Sequence, residues 1–324
     1  MLSLADCQLI INQYLNELKL PGLPVNLYEP IRYMLHLEAK RLRPALTLMA
    51  CNMFSDNIKP AIYPALAIEV FHNFTLMHDD IMDNSDLRRK NETVHVKWNK
   101  NIALLSGDAM VIKAYELLVQ EKGLPLLEIL PVFNQTALQV CEGQQFDMDY
   151  EKRMDVSIDE YLQMVEYKTA ALVAGSLKIG AIIGRAAEKD AGRLYEFGRN
   201  IGIAFQLQDD LLDVFADEAI FGKVTGNDIV SNKKTILLIE ALNRTKGELK
   251  VRLLDWIKRT EFVREEKVQA VKMIYAALSI EELVKDKIQC YHDRALENLS
   301  KVNIDPDRKK ELEKFSAYLM NRKK

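Results

Sequence analysis

The chain has 324 residues, 48% of them hydrophobic and 28% charged, a balance that excludes intrinsic disorder and supplies enough apolar material for a large core. Its net charge of -3 gives no bulk attraction to nucleic acid or an acidic membrane, so any anion recognition has to come from local Arg and Lys clusters. Cys7, Cys51, Cys141 and Cys290 lack CxxC spacing, which suits reduced thiols rather than a disulfide framework or a zinc site.

The first residues, MLSLADCQLI, carry no basic start, and no apolar run reaches about 18 residues without a charge. The reading is a cytoplasmic protein with no membrane span. Taken in chain order, three cations in Lys40-Arg41-Leu42-Arg43-Pro44 stand just before a helix, and an almost continuously apolar helix follows over Leu66 to Met77. That helix runs straight into HDDIMDNSDLRR, His78 to Arg89. Apolar residues at three- and four-residue spacing then predict helices over Ile102–Gln120, Ile158–Ile183, Ala191–Phe215 and Lys267–Leu299. No run alternates with period two. Thirteen Gly and nine Pro are few for this length, and several prolines, Pro21, Pro24, Pro30, Pro60, Pro64, Pro125 and Pro131, are expected between or at the starts of helical segments. With no repeat and no Ser, Gly or Pro-rich linker, the expectation is one all-α domain over residues 1–324.

Two acidic clusters carry the chemistry. Asp79, Asp80 and Asp83 form one DDxxD, and Asp209, Asp210 and Asp213 form another, each at the end of an apolar helix. At an Asp frequency of about 6%, a chain this long should contain only about 0.07 such patterns by chance. Residues four apart on a helix stand one above the other, so Asp79 with Asp83, and Asp209 with Asp213, each make a carboxylate claw. Hard divalent cations, Mg²⁺ above all, match such a claw when substrate phosphates supply the remaining ligands. The plainer alternative is a pair of solvated helix ends. Carboxylates bound to metal call for a polyanion, and Lys40, Arg41, Arg43, Arg88, Arg89, Lys168, Lys223, Lys233, Lys234 and the Arg322-Lys323-Lys324 tail supply cations to meet one.

From about Lys40 to Thr235 the order and spacing of these motifs closely resemble the trans-isoprenyl diphosphate synthase family. Its basic motif, usually GKRLRP, is similar to Ala39–Pro44; its ExxH to Glu69 and His72; its GQxxD to Gly143, Gln144 and Asp147; its KT to Lys168 and Thr169. FQxxDD appears as Phe205, Gln206, Asp209 and Asp210, and GKxxGxD with NK as Gly222, Lys223, Gly226, Asp228, Asn232 and Lys233. Ala39 and Lys90 stand where Gly is usual and Glu92 where Pro is common; none of these removes a ligand.

The resemblance implies a large helical bundle around a deep central cavity, assembled as a homodimer, that joins isopentenyl diphosphate head-to-tail to an allylic prenyl diphosphate. It implies three Mg²⁺ held by Asp79, Asp83 and Asp209, with Asp80, Asp210 and Asp213 close by or one shell out. Arg88, Lys168, Lys223, Lys233, Gln144 and Asp147 then fall to the allylic diphosphate, and Lys40, Arg43, His72 and Arg89 to isopentenyl diphosphate without metal. Carbonyls at Lys168 and Thr169 and the Gln206 amide oxygen would face the carbocation, and the departing diphosphate would take the final proton. The family's chain-length floor corresponds to Phe74, Thr75 and Phe71, where Phe74 lies about 7.5 Å and Phe71 about 12 Å from the first claw along the helix axis. Two rings at that depth favour a short product, geranylgeranyl diphosphate, with farnesyl diphosphate as the alternative. A class I terpene cyclase and a non-catalytic partner subunit are the more remote readings; the second DDxxD and the KRLRP cations argue against the first, and the six intact aspartates against the second.

Overall fold

The computed structural model describes residues 1–216 and 225–320. Among them the chain is all-α apart from one minimal hairpin. In order the elements are α1 (Leu4–Glu17), α2 (Val25–His36), α3 (Leu42–Phe54), α4 (Lys59–Met82), β1 (Leu87–Arg88), β2 (Asn91–Glu92), α5 (Val94–Lys97), α6 (Lys100–Leu118) and α7 (Leu126–Glu151). There follow α8 (Ile158–Val165), a π-helical turn over Glu166–Ala170, α9 (Ala171–Ile183), α10 (Glu188–Phe215), α11 (Asn227–Val230), α12 (Ile236–Arg244), α13 (Gly247–Lys258), α14 (Arg264–Ala277), α15 (Ile280–Ser300) and α16 (Lys310–Met320).

Two compact units emerge, the first of residues 1–136, 172–195 and 301–312 and the second of 137–171, 196–300 and 313–324. The first is built on α4, whose Ala61, Ala65, Leu66, Ala67, Ile68 and Val70 are buried nearly all round and pack against α3 and α6. A helix apolar on every side belongs in the middle of a core. The second unit's core gathers Leu207, Leu211 and Val214 of α10 with Ile236, Leu237 and Ile239 of α12 and with Val271, Ile274 and Tyr275 of α14.

Three sequence expectations need correction. The run Lys267–Leu299 is two helices, because Ser279 turns to a positive φ of 51° between α14 and α15. Pro30, Pro64 and Pro131 lie inside α2, α4 and α7, not between helices. Each is the sixth residue of its helix, so each forfeits only a hydrogen bond of the first turns. The helix expected over Ile158–Ile183 is interrupted by the π turn. Among the described residues no helix is long and apolar enough to cross a membrane.

Candidate active site

In the first unit α4 delivers its carboxylates at the wrong end of a helix. The C-terminus already carries partial negative charge, so Asp79, Asp80 and Asp83 there raise the local potential further. Asp83 caps the helix, its N–H donating to the Asp79 carbonyl at 2.9 Å, which sets the two side chains one turn apart. The chain then doubles back through the hairpin, Leu87 opposite Glu92 and Arg88 opposite Asn91. Its turn residues Arg89 and Lys90 both hold positive φ, 54° and 67°, the signature of a type I′ turn. Non-glycine residues pay for that conformation with about 1 kcal/mol or more each. Tyr33 offsets part of it, its hydroxyl donating to the Glu92 carbonyl at 2.7 Å.

The fold-back puts Arg88 on the first claw. Its Nε and Nη2 donate to Asp80 Oδ1 at 2.9 and 2.6 Å, and Nη2 reaches Asp79 Oδ2 at 3.3 Å. Burial raises the Asp80 carboxyl above its usual range, and the Arg88 contacts oppose that rise without cancelling it. Asp80 is 2% exposed and turned to Arg88, whereas Asp83 is exposed at the helix tip.

Beside the claw, Ala39, Lys40, Arg41, Arg43, Glu69, His72 and Arg89 line a cleft of about 470 Å³. The two arginines of KRLRP have different work. Arg41, with a φ of 45° at the start of α3, is buried and donates to Glu69 at 2.5 Å and to the Leu35 and Leu37 carbonyls at 2.5 and 3.1 Å. Arg43 donates through Nη1 to His72 Nε2 at 3.1 Å. A guanidinium can only donate, so Nε2 accepts and the ring proton sits on Nδ1. Burial, then Arg43 and Arg89, hold the His72 pKa well below its ordinary value, and burial brings Arg43 down to about 10. The buried Nε of Arg43 and Nη1 of Arg89 have no acceptor among the described residues. Donors of that kind, in an open cleft and attached to permanent cations, suit an anion with several oxygens.

Upstream on α4, Phe71 is 2% exposed and locked edge-on against Phe133 at 5.5 Å, with Phe74 at 5.4 Å. Phe74 is half-buried and rests on the His78 ring at 4.7 Å, while the Thr75 hydroxyl donates to the His72 carbonyl at 2.8 Å.

The second unit assembles the other motifs around the π turn. A π turn inserts one residue into the helix and loosens its carbonyl pattern, which is why such turns recur at functional sites. Gly143 of α7 backs this one: a Cβ there would lie 2.2 Å from the Lys168 backbone N. Gly202 of α10 backs it too, where a Cβ would lie 2.6 Å from Ala170 Cα. Lys168 Nζ donates to Asp147 Oδ2 at 2.5 Å, and Thr169 Oγ1 donates to Gln206 Oε1 at 3.0 Å. Gln206 Nε2 donates to Asp210 Oδ1 at 2.9 Å, and the Tyr161 hydroxyl donates to Asp210 Oδ2. A narrow cavity of about 40 Å³ is lined by Asp147, Tyr161, Lys168, Thr169, Gln206, Asp210 and Lys233. The buried Gln144 Nε2 has no acceptor among the described residues.

Asp213 accepts from the Asp228 backbone N–H at 3.0 Å, tying the second claw to the start of α11. Burial raises Asp210 to about 6 and Asp228 to about 7, with Lys233 opposing the rise in both. Asp209 lies half-buried on α10. Lys223, Gly222 and the tail Arg322-Lys323-Lys324 lie outside the described residues. Among the described residues no three His, Cys, Asp or Glu side chains come together as a group that could hold a metal ion.

Sequence reasoning missed Tyr161, although its place seven residues before Lys168 puts it on the same helical face, and while the resemblance gave Arg43 to isopentenyl diphosphate it gave Arg41 no duty.

The chain is similar to proteins already known. It is 39% identical over 301 residues to geranylgeranyl diphosphate synthase of Methanosarcina mazei, covering 92% of this chain and 90% of that one. A crystal structure of a geranylgeranyl pyrophosphate synthase superposes with a TM-score of 0.94 at 43% identity over the whole of both chains. The Corynebacterium glutamicum geranylgeranyl pyrophosphate synthase, solved with isoprenyl diphosphate and magnesium, superposes with a TM-score of 0.85 at 26% identity over 98% of each chain. Residues 24–278 match the polyprenyl synthetase family, and the chain belongs to that family.

Proposed function

We propose that the protein is a Mg²⁺-dependent prenyltransferase that joins isopentenyl diphosphate to an allylic diphosphate and releases geranylgeranyl diphosphate, working over residues 1–324 as one synthase domain. The observation that carries this reading is the first-unit cleft, where buried Arg43 and Arg89 N–H groups face no acceptor beside a claw of carboxylates. The donor set fits the metal. Asp79, Asp83 and Asp209 offer only hard oxygens, in partial shells that leave room for water and phosphate, as Mg²⁺ prefers. Three ions are expected at these aspartates, and the chemistry they would supply is neutralisation of the charge growing on the leaving diphosphate.

The chain's own residues divide the remaining work. Arg88 keeps Asp79 and Asp80 oriented and offsets their charge. Lys40, Arg43, His72 and Arg89 hold the isopentenyl diphosphate headgroup, with His72 neutral and able to donate from Nδ1. Arg88, Lys168, Lys233, Lys223, Gln144 and Asp147 serve the allylic diphosphate. When its C–O bond breaks, the cation meets the Gln206 amide oxygen and the carbonyls of the loosened turn at Lys168 and Thr169. The isopentenyl double bond then forms the new C–C bond, and the released diphosphate takes the proton. Phe74, with Thr75 and Phe71, sets where the tail stops.

The protein is taken to act in the cytoplasm, and as a homodimer; the dimer is supported by Leu104, Leu105 and Ile112, each more than half exposed on one face of α6. Calorimetry with isopentenyl diphosphate in EDTA tests the metal-free headgroup site. Binding should occur without Mg²⁺ and be lost in Arg43→Met; binding that requires Mg²⁺ would assign the cleft to something else.

A further inference from the structure

Gln206 has an amide whose two ends are nearly the same size, and only one of them can help a carbocation. The oxygen stabilises positive charge and the NH₂ repels it. What decides which end faces the reaction is the hydrogen-bond network behind the side chain. An ionised carboxylate accepts and never donates, so Asp210 Oδ1, 2.9 Å from Nε2, commits the NH₂ end to itself. The oxygen end is thereby turned to Thr169 Oγ1 at 3.0 Å, at the π turn, with a lone pair to spare.

Asp210 is in turn held by Tyr161. The carboxylate is 3% exposed, and its second oxygen receives the phenol proton of Tyr161, itself 2% exposed. Burial, then the neighbouring Asp210, push the Tyr161 pKa well up, which keeps the phenol a donor. Both Asp210 oxygens are therefore engaged by interior donors. From the geometry we infer that Tyr161 is a positioning residue for prenyl transfer: through Asp210 it fixes Gln206 with the oxygen toward the cation. The same chain places a negative charge directly behind the amide NH₂, which polarises the amide and enriches its oxygen in electron density. This inference rests on the prenyltransferase reading above.

A double-mutant cycle tests it, with Tyr161→Phe, Gln206→Ala and the pair, read as kcat, KM for each diphosphate and the Mg²⁺ concentration for half-maximal rate. Removing a hydrogen bond to a charged group should lower kcat in Tyr161→Phe about tenfold. Both KM values and the Mg²⁺ dependence should stay as in wild type, and the double variant should be no slower than Gln206→Ala. In metal-free protein the Gln206 side-chain NH₂ resonance, assigned by its absence in Gln206→Ala, should shift in Tyr161→Phe. Additive losses in kcat, or a loss restored by high Mg²⁺, would overturn the inference, since Tyr161 would then act on folding or on the metal. If Tyr161→Phe does not fold, Asp210→Asn takes its place in the cycle, read only as the non-additivity of its kcat loss with Gln206→Ala and as the shift of the Gln206 NH₂ resonance in metal-free protein, because Asp210 adjoins the claw; additive losses with an unmoved resonance would overturn the inference. Wild-type protein that forms no chain-extended product would remove the prenyltransferase reading and this inference together, whereas an active wild type with additive losses would remove the inference alone.

Discussion

Gly143→Ala separates local propensity from packing, because the two give opposite signs. In a helix interior Ala is favoured over Gly by about 0.8–1.0 kcal/mol, so propensity alone makes the substitution stabilising. Packing says otherwise. The new Cβ would stand 2.2 Å from the Lys168 backbone N, 2.7 Å from Lys168 Cα and 2.7 Å from the Tyr167 carbonyl carbon. All three are backbone atoms, with no flexible side-chain end to swing aside. Restoring an ordinary contact requires α7 and the π turn to part by about 1 Å, and overpacking of this kind costs about 1–3 kcal/mol. The displaced group is the turn that carries Lys168 and Thr169. A misplacement of about 1 Å in a reacting constellation costs on the order of 100-fold in rate. The expected result is a lower thermal midpoint together with a kcat reduced about 100-fold, measured on Gly143→Ala beside wild type. A raised midpoint with full kcat would refute the claim that Gly143 is there to admit the π turn.

Other substitutions divide the site by role. Arg41→Met should destabilise by about 3–5 kcal/mol because it strands buried Glu69, whereas Arg43→Met should fold normally and raise KM for isopentenyl diphosphate; equal effects of the two on denaturant midpoint would contradict that division. Phe71→Ala should cost about 3–5 kcal/mol, since Phe71 is sealed against Phe133, while Phe74→Ala should keep most of the stability and lengthen the product beyond twenty carbons by chromatography of the dephosphorylated alcohols. In EDTA, lowering the pH from about 8 to about 6.5 should raise the thermal midpoint of wild type relative to that of Asp228→Asn. With its pKa raised to about 7, the Asp228 carboxyl binds more protons in the native state than in the unfolded chain across that window, so its contribution to stability falls as pH rises, opposite in sign to that of the depressed His72, which the comparison with Asp228→Asn cancels. A wild-type midpoint that did not rise relative to Asp228→Asn toward pH 6.5 would rule the explanation out.

The all-helical architecture was legible because 3.6-residue periodicity survives in long apolar stretches such as Leu66–Met77. The claws were legible because four-residue spacing on a helix needs no tertiary knowledge. What stayed hidden depended on contacts distant in sequence or on single-residue irregularities. The structural duty of Arg41 shows only when Glu69, 28 residues away, comes to lie against it. The π turn at Glu166–Ala170 adds one residue to a helix, which an apolar pattern absorbs without trace. The hairpin has two-residue strands and an Arg-Lys turn in place of Asn-Gly, so neither alternation nor turn chemistry announced it. The break at Ser279 lies in Ala-Leu-Ser, with no Gly or Pro to mark it.

The central claim is tested most directly by incubating the purified protein with Mg²⁺, labelled isopentenyl diphosphate and dimethylallyl, geranyl or farnesyl diphosphate in turn, then sizing the products after phosphatase treatment. The account predicts a Mg²⁺-dependent, chain-extended product ending at twenty carbons. Extension of none of the three primers, or conversion of farnesyl diphosphate without isopentenyl diphosphate, would contradict it.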